Sequence, residues 1–210
     1  MKRYKYPRIP HLPWSNASTD DKKLKDISHL EGKEIVVTVK MDGENTTMYK
    51  DHLHARSLDS KDHPSRSWVK QYHGRIKHTI ENDYRICGEN LFAKHSIHYQ
   101  NLSSYFMCFN VWNKEECLDW DSTLKYAEER NIPMVPVLYR GPCYKIILDC
   151  LEIENFDKDL CEGYVIRLAG SFNYDEVMQS MAKYVRENHI QTEEHWMYTK
   201  VIKNKLSSAA

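Results

Sequence analysis

The sequence predicts an α+β fold, and two kinds of pattern predict it. Residues 34–58 read as strand, turn, strand, turn, strand, the pattern of an antiparallel meander. Residues 67–82, 121–130, 145–156 and 193–206 instead carry apolar side chains at helical spacing. No internal repeat, low-complexity tract or linker interrupts the 210 residues, so residues 1–210 are expected to form one domain.

In chain order, residues 1–20 read as an extended N-terminal arm. Tyr6-Pro7-Arg8-Ile9-Pro10-His11-Leu12-Pro13-Trp14-Ser15 has too many prolines for a helix interior, and Leu12 and Trp14 would pack it on the body. Residues 22–30 are expected to form a short helix closed by Gly32. Residues 34–39, a β-branched run, form the first strand, and 46–49 and 53–57 the next two. The helix over 67–82 places Trp68, Val69, Tyr72, Ile76 and Ile80 inward, with Arg66, Lys70, Arg75 and Lys77 on a solvated face or a phosphate-binding surface. Strands follow at 84–91 and 105–112, then a helix over 121–130 capped by Asp121 or Ser122. A strand at 135–139, the helical period of 145–156, and strands at 161–168 and 182–185 come next. The last element is a helix over 193–206, Trp196 inward and Lys200, Lys203 and Lys205 outward.

Composition narrows the function classes. Lys+Arg and Asp+Glu balance at 30 each, so nucleic-acid binding would need a local basic patch. The six Cys form no C-x-x-C pair, which argues against structural zinc and for buried thiols in a reducing cytoplasm. No apolar run is long enough to span a bilayer, and no signal peptide is seen.

The chemistry centres on Lys40-Met41-Asp42-Gly43-Glu44-Asn45. Ile35, Val37 and Val39 share one face of the first strand, and Val36, Thr38 and Lys40 the other. Lys40 thus sits where strand becomes turn. There it is either an exposed turn residue or a nucleophile on a rigid scaffold, and Gly43 allows a tight turn with close approach of a phosphate.

Lys-x-Asp-Gly resembles the nucleotide-accepting motif of the covalent nucleotidyltransferases: ATP-dependent DNA ligases, RNA ligases and mRNA capping enzymes. The form Lys-x-Asp-Gly-x-Asn looks most like the RNA ligases. Further stretches are similar to that superfamily's later motifs, in order. They are His54-Ala55-Arg56-Ser57, Arg85-Ile86-Cys87-Gly88-Glu89-Asn90, Tyr105-Phe106-Met107-Cys108-Phe109-Asn110, Glu162-Gly163-Tyr164-Val165-Ile166-Arg167, and Met181-Ala182-Lys183-Tyr184-Val185-Arg186. Two departures stand out. Asn110 occupies the place of an acid, and Met181 that of the first Lys of Lys-x-Lys, leaving Lys183 and Arg186 as the charges. His11 to Ser15 also looks like the arm of small RNA ligases, which lies near the nucleotide.

The resemblance implies a nucleotidyltransferase fold of two antiparallel sheets flanked by helices, with ATP between them. It implies Lys40 as the nucleophile that takes AMP from ATP, and Arg56, Lys183 and Arg186 on phosphates. Glu89 would hold the ribose hydroxyls and Phe109 would stack on the base. Asp42 and Glu162 would hold Mg2+, or Mn2+ in its place. The substrate would be RNA ends joined 5′-phosphate to 3′-hydroxyl, with a separate RNA-binding partner as an option. Oligomeric state and natural RNA are left open. A small DNA ligase or a capping enzyme would be expected to carry an oligonucleotide-binding barrel after Arg186, where about two dozen residues follow. A non-catalytic binder of the same fold is the other rival, and Lys40, Glu89 and Glu162 argue against it.

Overall fold

A computed structural model describes residues 2–17, 21–154, 161–187 and 201–208. In chain order its elements are β1 (Glu34–Lys40), β2 (Glu44–Met48), β3 (Leu53–Ala55), α1 (Ser67–Ile76), β4 (Tyr84–Asn90), β5 (Phe106–Asn113) and β6 (Glu116–Cys117). Then come α2 (Trp120–Glu128), β7 (Val137–Pro142), α3 (Lys145–Glu154), β8 (Gly163–Leu168), β9 (Phe172–Asn173), α4 (Val177–Ser180) and β10 (Met181–Val185). They build two antiparallel sheets, one ordered β10-β8-β1-β7 and the other β3-β2-β4-β5-β6-β9. The α+β fold with two antiparallel sheets is as expected, but the meander is not. β1 pairs with β7 and β8, whereas β2 pairs with β3 and β4. The Lys40 turn is therefore no hairpin: it is where the chain crosses from one sheet to the other.

Side-chain alternation explains how the four-stranded sheet works. Ile35, Val37, Tyr164, Ile166 and Ala182 lie on one face and bury completely against Leu12, Leu30, Cys143 and Leu148. Each large aliphatic chain so buried contributes about 1.5–3 kcal/mol. The opposite face presents Thr38, Lys40, Val165, Arg167, Met181 and Lys183 to a cleft. The six-stranded sheet has its own core, Met48, Ile86, Phe106, Cys108 and Val111, packed by Val69 of α1 and by Tyr126 and Ala127 of α2.

Several local expectations are corrected. Residues 22–30 are not helical but run as a bridge at Lys23 and a turn at 28–30, because their backbone serves the arm: His11 N–H donates to Lys22 O, and Leu24 N–H to His11 O. The first helix stops at Ile76 and continues only as a 3-10 turn, Lys77–Thr79. Arg66 is not on a solvated face. It is buried and donates to both carboxylate oxygens of Glu44, at 2.5 and 2.7 Å. Asp119, rather than Asp121 or Ser122, caps α2 by accepting from Ser122 N–H at 2.8 Å, while Asp121 holds Arg140. The strand expected at 135–139 is β7, Val137–Pro142.

Residues 201–206 are extended instead of helical, since their backbone bonds to residues 92–102. The rest of the expected terminal helix, with Trp196 and Lys200, lies outside the described residues, as do residues 18–20 of the arm and 155–156 of the third helix. The arm itself is extended and runs beside β10. Leu12 N–H donates to Lys183 O, Lys183 N–H to Pro10 O, and Asn16 N–H to Val185 O. No helix among the described residues is long and apolar enough to cross a membrane.

β8 and β10 come together most closely at Gly163, where a Cβ would sit 1.9 Å from Tyr184 O. Gly163→Ala is expected to cost about 1–3 kcal/mol through forced displacement of β10. For a chain of this size that lowers the thermal midpoint by about 2–4 °C per kcal/mol. An unchanged midpoint in scanning calorimetry would contradict the tight packing.

Candidate active site

β1 ends at Lys40 and β8 begins at Gly163, and these two residues are opposite each other in the register. That register brings Lys40 Nζ to 2.5 Å from Glu162 Oε2. Both side chains are mostly buried, with 23% and 11% of their surface exposed. Gly43 lets the turn pass against β4, for a Cβ there would meet Asn90 O at 2.6 Å.

Lys40 lines a cleft between the two sheets with about 860 Å³ of empty space, counting its open mouth. Arg56, Glu89, Phe109 and Lys183 line the same cleft. So five residues from five separate motifs are brought together. Glu162 reaches the cleft through its contact with Lys40. Arg186 does not line it: its Nε donates to Cys161 O and its N–H to Glu162 O, so it braces the chain beside Glu162.

Four cations, Lys40, Arg56, Arg167 and Lys183, line the cleft against one carboxylate, Glu89. The surroundings of Lys40 itself are acidic. Burial works against its charge, but Glu162, Glu89 and Asp42 outweigh burial and hold its pKa above the ordinary lysine value. Lys183 shifts the other way, lowered by burial and by the nearby Lys40 and Arg56 charges. Glu89 is pushed up to about 8, by burial first and by the Glu162 and Asp42 carboxylates after it.

Glu162, Glu89 and Asp42 surround the one Lys40 ammonium, a set of hard oxygen donors that suits a divalent cation. Among the described residues no three His, Cys, Asp or Glu side chains form a metal cage. Asp42 and Glu162 are carboxylates of the kind a hydrated Mg2+ or Mn2+ takes, one or two beside water and phosphate oxygens. Asp42 has a further task. Its Oδ2 accepts from Ser96 N–H at 2.8 Å, Ser96 Oγ at 2.7 Å and Ile97 N–H at 2.6 Å, which fixes the turn after Lys40.

Sequence reasoning missed several residues of the cleft wall. Arg167 is buried at 2% exposure, donates to Leu118 O and Leu168 O, and sits opposite Met181 in the register. A cation thus stands next to the position where Met181 replaces a lysine. Its signal was a charge at an inward position of an otherwise apolar strand. Tyr6 of the arm packs edge-on to Phe109 at 5.3 Å and donates to Asn110 Oδ1 at 2.7 Å. Asn110 thus has a neutral partner where an acid would have met a buried hydroxyl. His11, buried and held at about 4 by desolvation and then Lys183, accompanies them behind β10.

A family model described as RNA ligase matches residues 33–185. No curated protein matches the chain. Among solved structures, a Naegleria gruberi RNA ligase mutant with ATP and Mn superposes with a TM-score of 0.56 at 13% identity, over 90% of this chain and 63% of that one. An archaeal ATP-dependent RNA ligase gives 0.55 at 16% identity, over 86% and 48%. The chain thus spans less than two thirds of the length of these neighbours. At such identities the likeness is one of fold.

The raised pKa of Glu89 makes stability depend on pH. The folded form binds this proton more tightly than an unfolded chain, whose Glu titrates near 4.5. The contribution is complete below about pH 4.5 and is lost as pH rises through about 8. In nucleotide- and metal-free protein, the urea midpoint should decline across that window, and Glu89→Gln should flatten the decline. A midpoint that rises from pH 5 to 8 by the same amount in both proteins would refute it.

Proposed function

The chain belongs to the RNA ligase family, and from that membership we propose that it is an ATP-dependent RNA ligase joining 5′-phosphate to 3′-hydroxyl ends through Lys40. The observation that carries this reading is the Lys40 amine standing 2.5 Å from Glu162, on the wall of a cleft lined by Arg56, Arg167 and Lys183. A bare lysine pocket would serve binding alone; a lysine set among carboxylates and phosphate-grade cations serves covalent transfer.

Lys40 Nζ attacks the α-phosphorus of ATP, a P–N bond forms, and pyrophosphate leaves. An oxygen of the RNA 5′-phosphate then attacks the same phosphorus and breaks the P–N bond, giving an adenylylated 5′ end. The 3′-hydroxyl attacks the RNA phosphate, the new phosphodiester forms, and AMP leaves. Arg56 and Lys183 hold the phosphates, Arg56 with a planar fork of donors suited to them. Phe109 and Val165, from opposite sheets, flank the base, and Glu89 accepts from the ribose hydroxyls. Glu162, aided by Asp42, would hold the metal, and Arg186 fixes the backbone on which Glu162 is carried. Bound Mg2+ or Mn2+ would neutralise carboxylate charge around Lys40 and charge on the α-phosphate, which favours the neutral amine.

Incubation with ATP carrying ³²P at its α-phosphate should leave an acid-labile label on the wild type. Lys40→Ala should remain folded and take up none, since no other group replaces the amine. Label from GTP in place of ATP would point to a capping enzyme instead, and undiminished label in Lys40→Ala would remove Lys40 from its role.

Glu162→Gln keeps the shape of the side chain but is a much poorer cation ligand. Its adenylylation should require at least about tenfold more Mg2+ for half-maximal rate, with little change in thermal midpoint. Superimposable metal titrations of variant and wild type would exclude Glu162 as a metal ligand.

A further inference from the structure

Residues 201–208 lie beyond the stretch matched by the family model, yet they are sewn into the active-site scaffold. Lys94 N–H donates to Ile202 O at 2.7 Å, Asn204 N–H to Phe92 O at 3.1 Å, and Lys205 N–H to Tyr99 O at 2.9 Å. Leu102 N–H returns a bond to Lys205 O at 3.0 Å, and Ser207 N–H donates to Leu102 O at 2.8 Å. At the centre is Asn204, 1% exposed. Its Oδ1 accepts from Tyr99 N–H at 2.9 Å, and its Nδ2 donates to Leu91 O at 2.8 Å and Ala93 O at 3.3 Å. Tyr105 Oη donates to its carbonyl at 2.8 Å. A buried amide so fully bonded fixes the geometry of the groups it joins.

The loop it fixes holds the catalytic turn. Tyr99 Oη accepts from Asp42 N–H at 2.9 Å, and Ser96 and Ile97 donate to Asp42 Oδ2. Lys40 is two residues away. A continuous path of short hydrogen bonds therefore runs from Asn204 through Tyr99 to the backbone that aims Lys40. We infer that residues 201–208 are a strap that positions the Lys40–Asp42 turn, with Asn204 as a positioning residue for the nucleophile. The inference rests on the proposed role of Lys40. Lys203 and Lys205, exposed on either side of Asn204, mark the strap's outer face, which leaves the inner residue to do the holding.

The test compares Asn204→Ala, Tyr99→Phe and the double variant, all in the full chain. Tyr99→Phe removes only the acceptor of Asp42 N–H. A nucleophile displaced by about 1 Å costs on the order of 10²-fold in rate. Each single variant should slow adenylylation at saturating ATP by about 10- to 100-fold, with KM for ATP within about twofold of wild type. Because both act on one path, the double variant should be no slower than the slower single. Amide exchange at Asp42, Ser96 and Ile97 should accelerate in both, while β4 and β5 keep their protection.

Rate losses that multiply in the double variant would overturn the inference, as would retained protection at Asp42, Ser96 and Ile97, or a normal rate constant from a less stable protein. Should Asn204→Ala fail to fold, Lys205→Pro carries the same expectations, for it removes the N–H to Tyr99 O at an exposed residue, and restricts the backbone at 204 and 205 to extended conformations the strap already has. If wild type forms no AMP adduct, the reading of Lys40 as nucleophile falls, and amide exchange alone decides whether the strap holds the turn.

Discussion

An ammonium and a carboxylate held 2.5 Å apart, where β1 meets β8, set the terms for the rest of the molecule. Burying such a pair is tolerable only with good geometry and further partners, because each ion gives up its hydration. The surrounding structure supplies that geometry. The register of β1 and β8 fixes the separation of Lys40 from Glu162, and the close approach at Gly163 locks β8 against β10. Arg186 ties down the backbone on either side of Glu162. The cost of the arrangement is an excess of carboxylates around one lysine, which hold the Lys40 pKa up and, after burial, add to the rise at Glu89. The same excess is what a cation or a polyphosphate with its metal relieves, so the local instability and the capacity for chemistry have one origin.

The chain crosses between sheets only four residues after this pair begins to form. A crossing that short leaves little freedom, and Asp42 removes most of what remains by accepting three donors from the 96–97 backbone and Ser96. Each wall of the cleft is thus a sheet whose other face carries its own core, and Lys40 stands at the join. Catalytic groups on strand ends, supported by such packing, are placed more accurately than groups on long loops.

Much of this was legible in the sequence, and the limits have physical reasons. Alternation over residues 34–38 gave the two faces of β1, because a period of two is local, but Val39, expected with Ile35 and Val37, packs by Met41 and Leu91 and lines the cleft. It could not name the partner strands, since β8 lies more than a hundred residues away, and so a crossing was read as a hairpin. The motif residues Lys40, Arg56, Glu89, Phe109 and Lys183 do meet in one cleft, and this followed from resemblance rather than from periodicity. Residues 22–30 and 201–206 failed for a shared reason. Their apolar spacing fits a helix, but their backbone groups are taken by distant segments, and no local pattern reports such competition. Arg167 and Tyr6 escaped because a single charge in a strand and a tyrosine among prolines have ordinary explanations until the fold places them.

The arm gives the molecule a temporal order as well as a shape. Tyr6, Pro7 and Ile9 line the cleft, yet the strand that holds the arm comes very late: Val185 N–H reaches Ser15 Oγ across 170 residues of chain. On a ribosome moving at about 5–20 residues per second, the arm therefore waits roughly 9–34 s for its docking strand. Until β10 is made, Leu12 N–H and Asn16 N–H lack the Lys183 and Val185 carbonyls they meet in the fold, although Tyr4 and Tyr6 already have Tyr49 and Asn110 as partners. Leu12 of the arm and Ala182 of β10 belong to one core, so that core and the cleft wall beside it are completed together, in one late step.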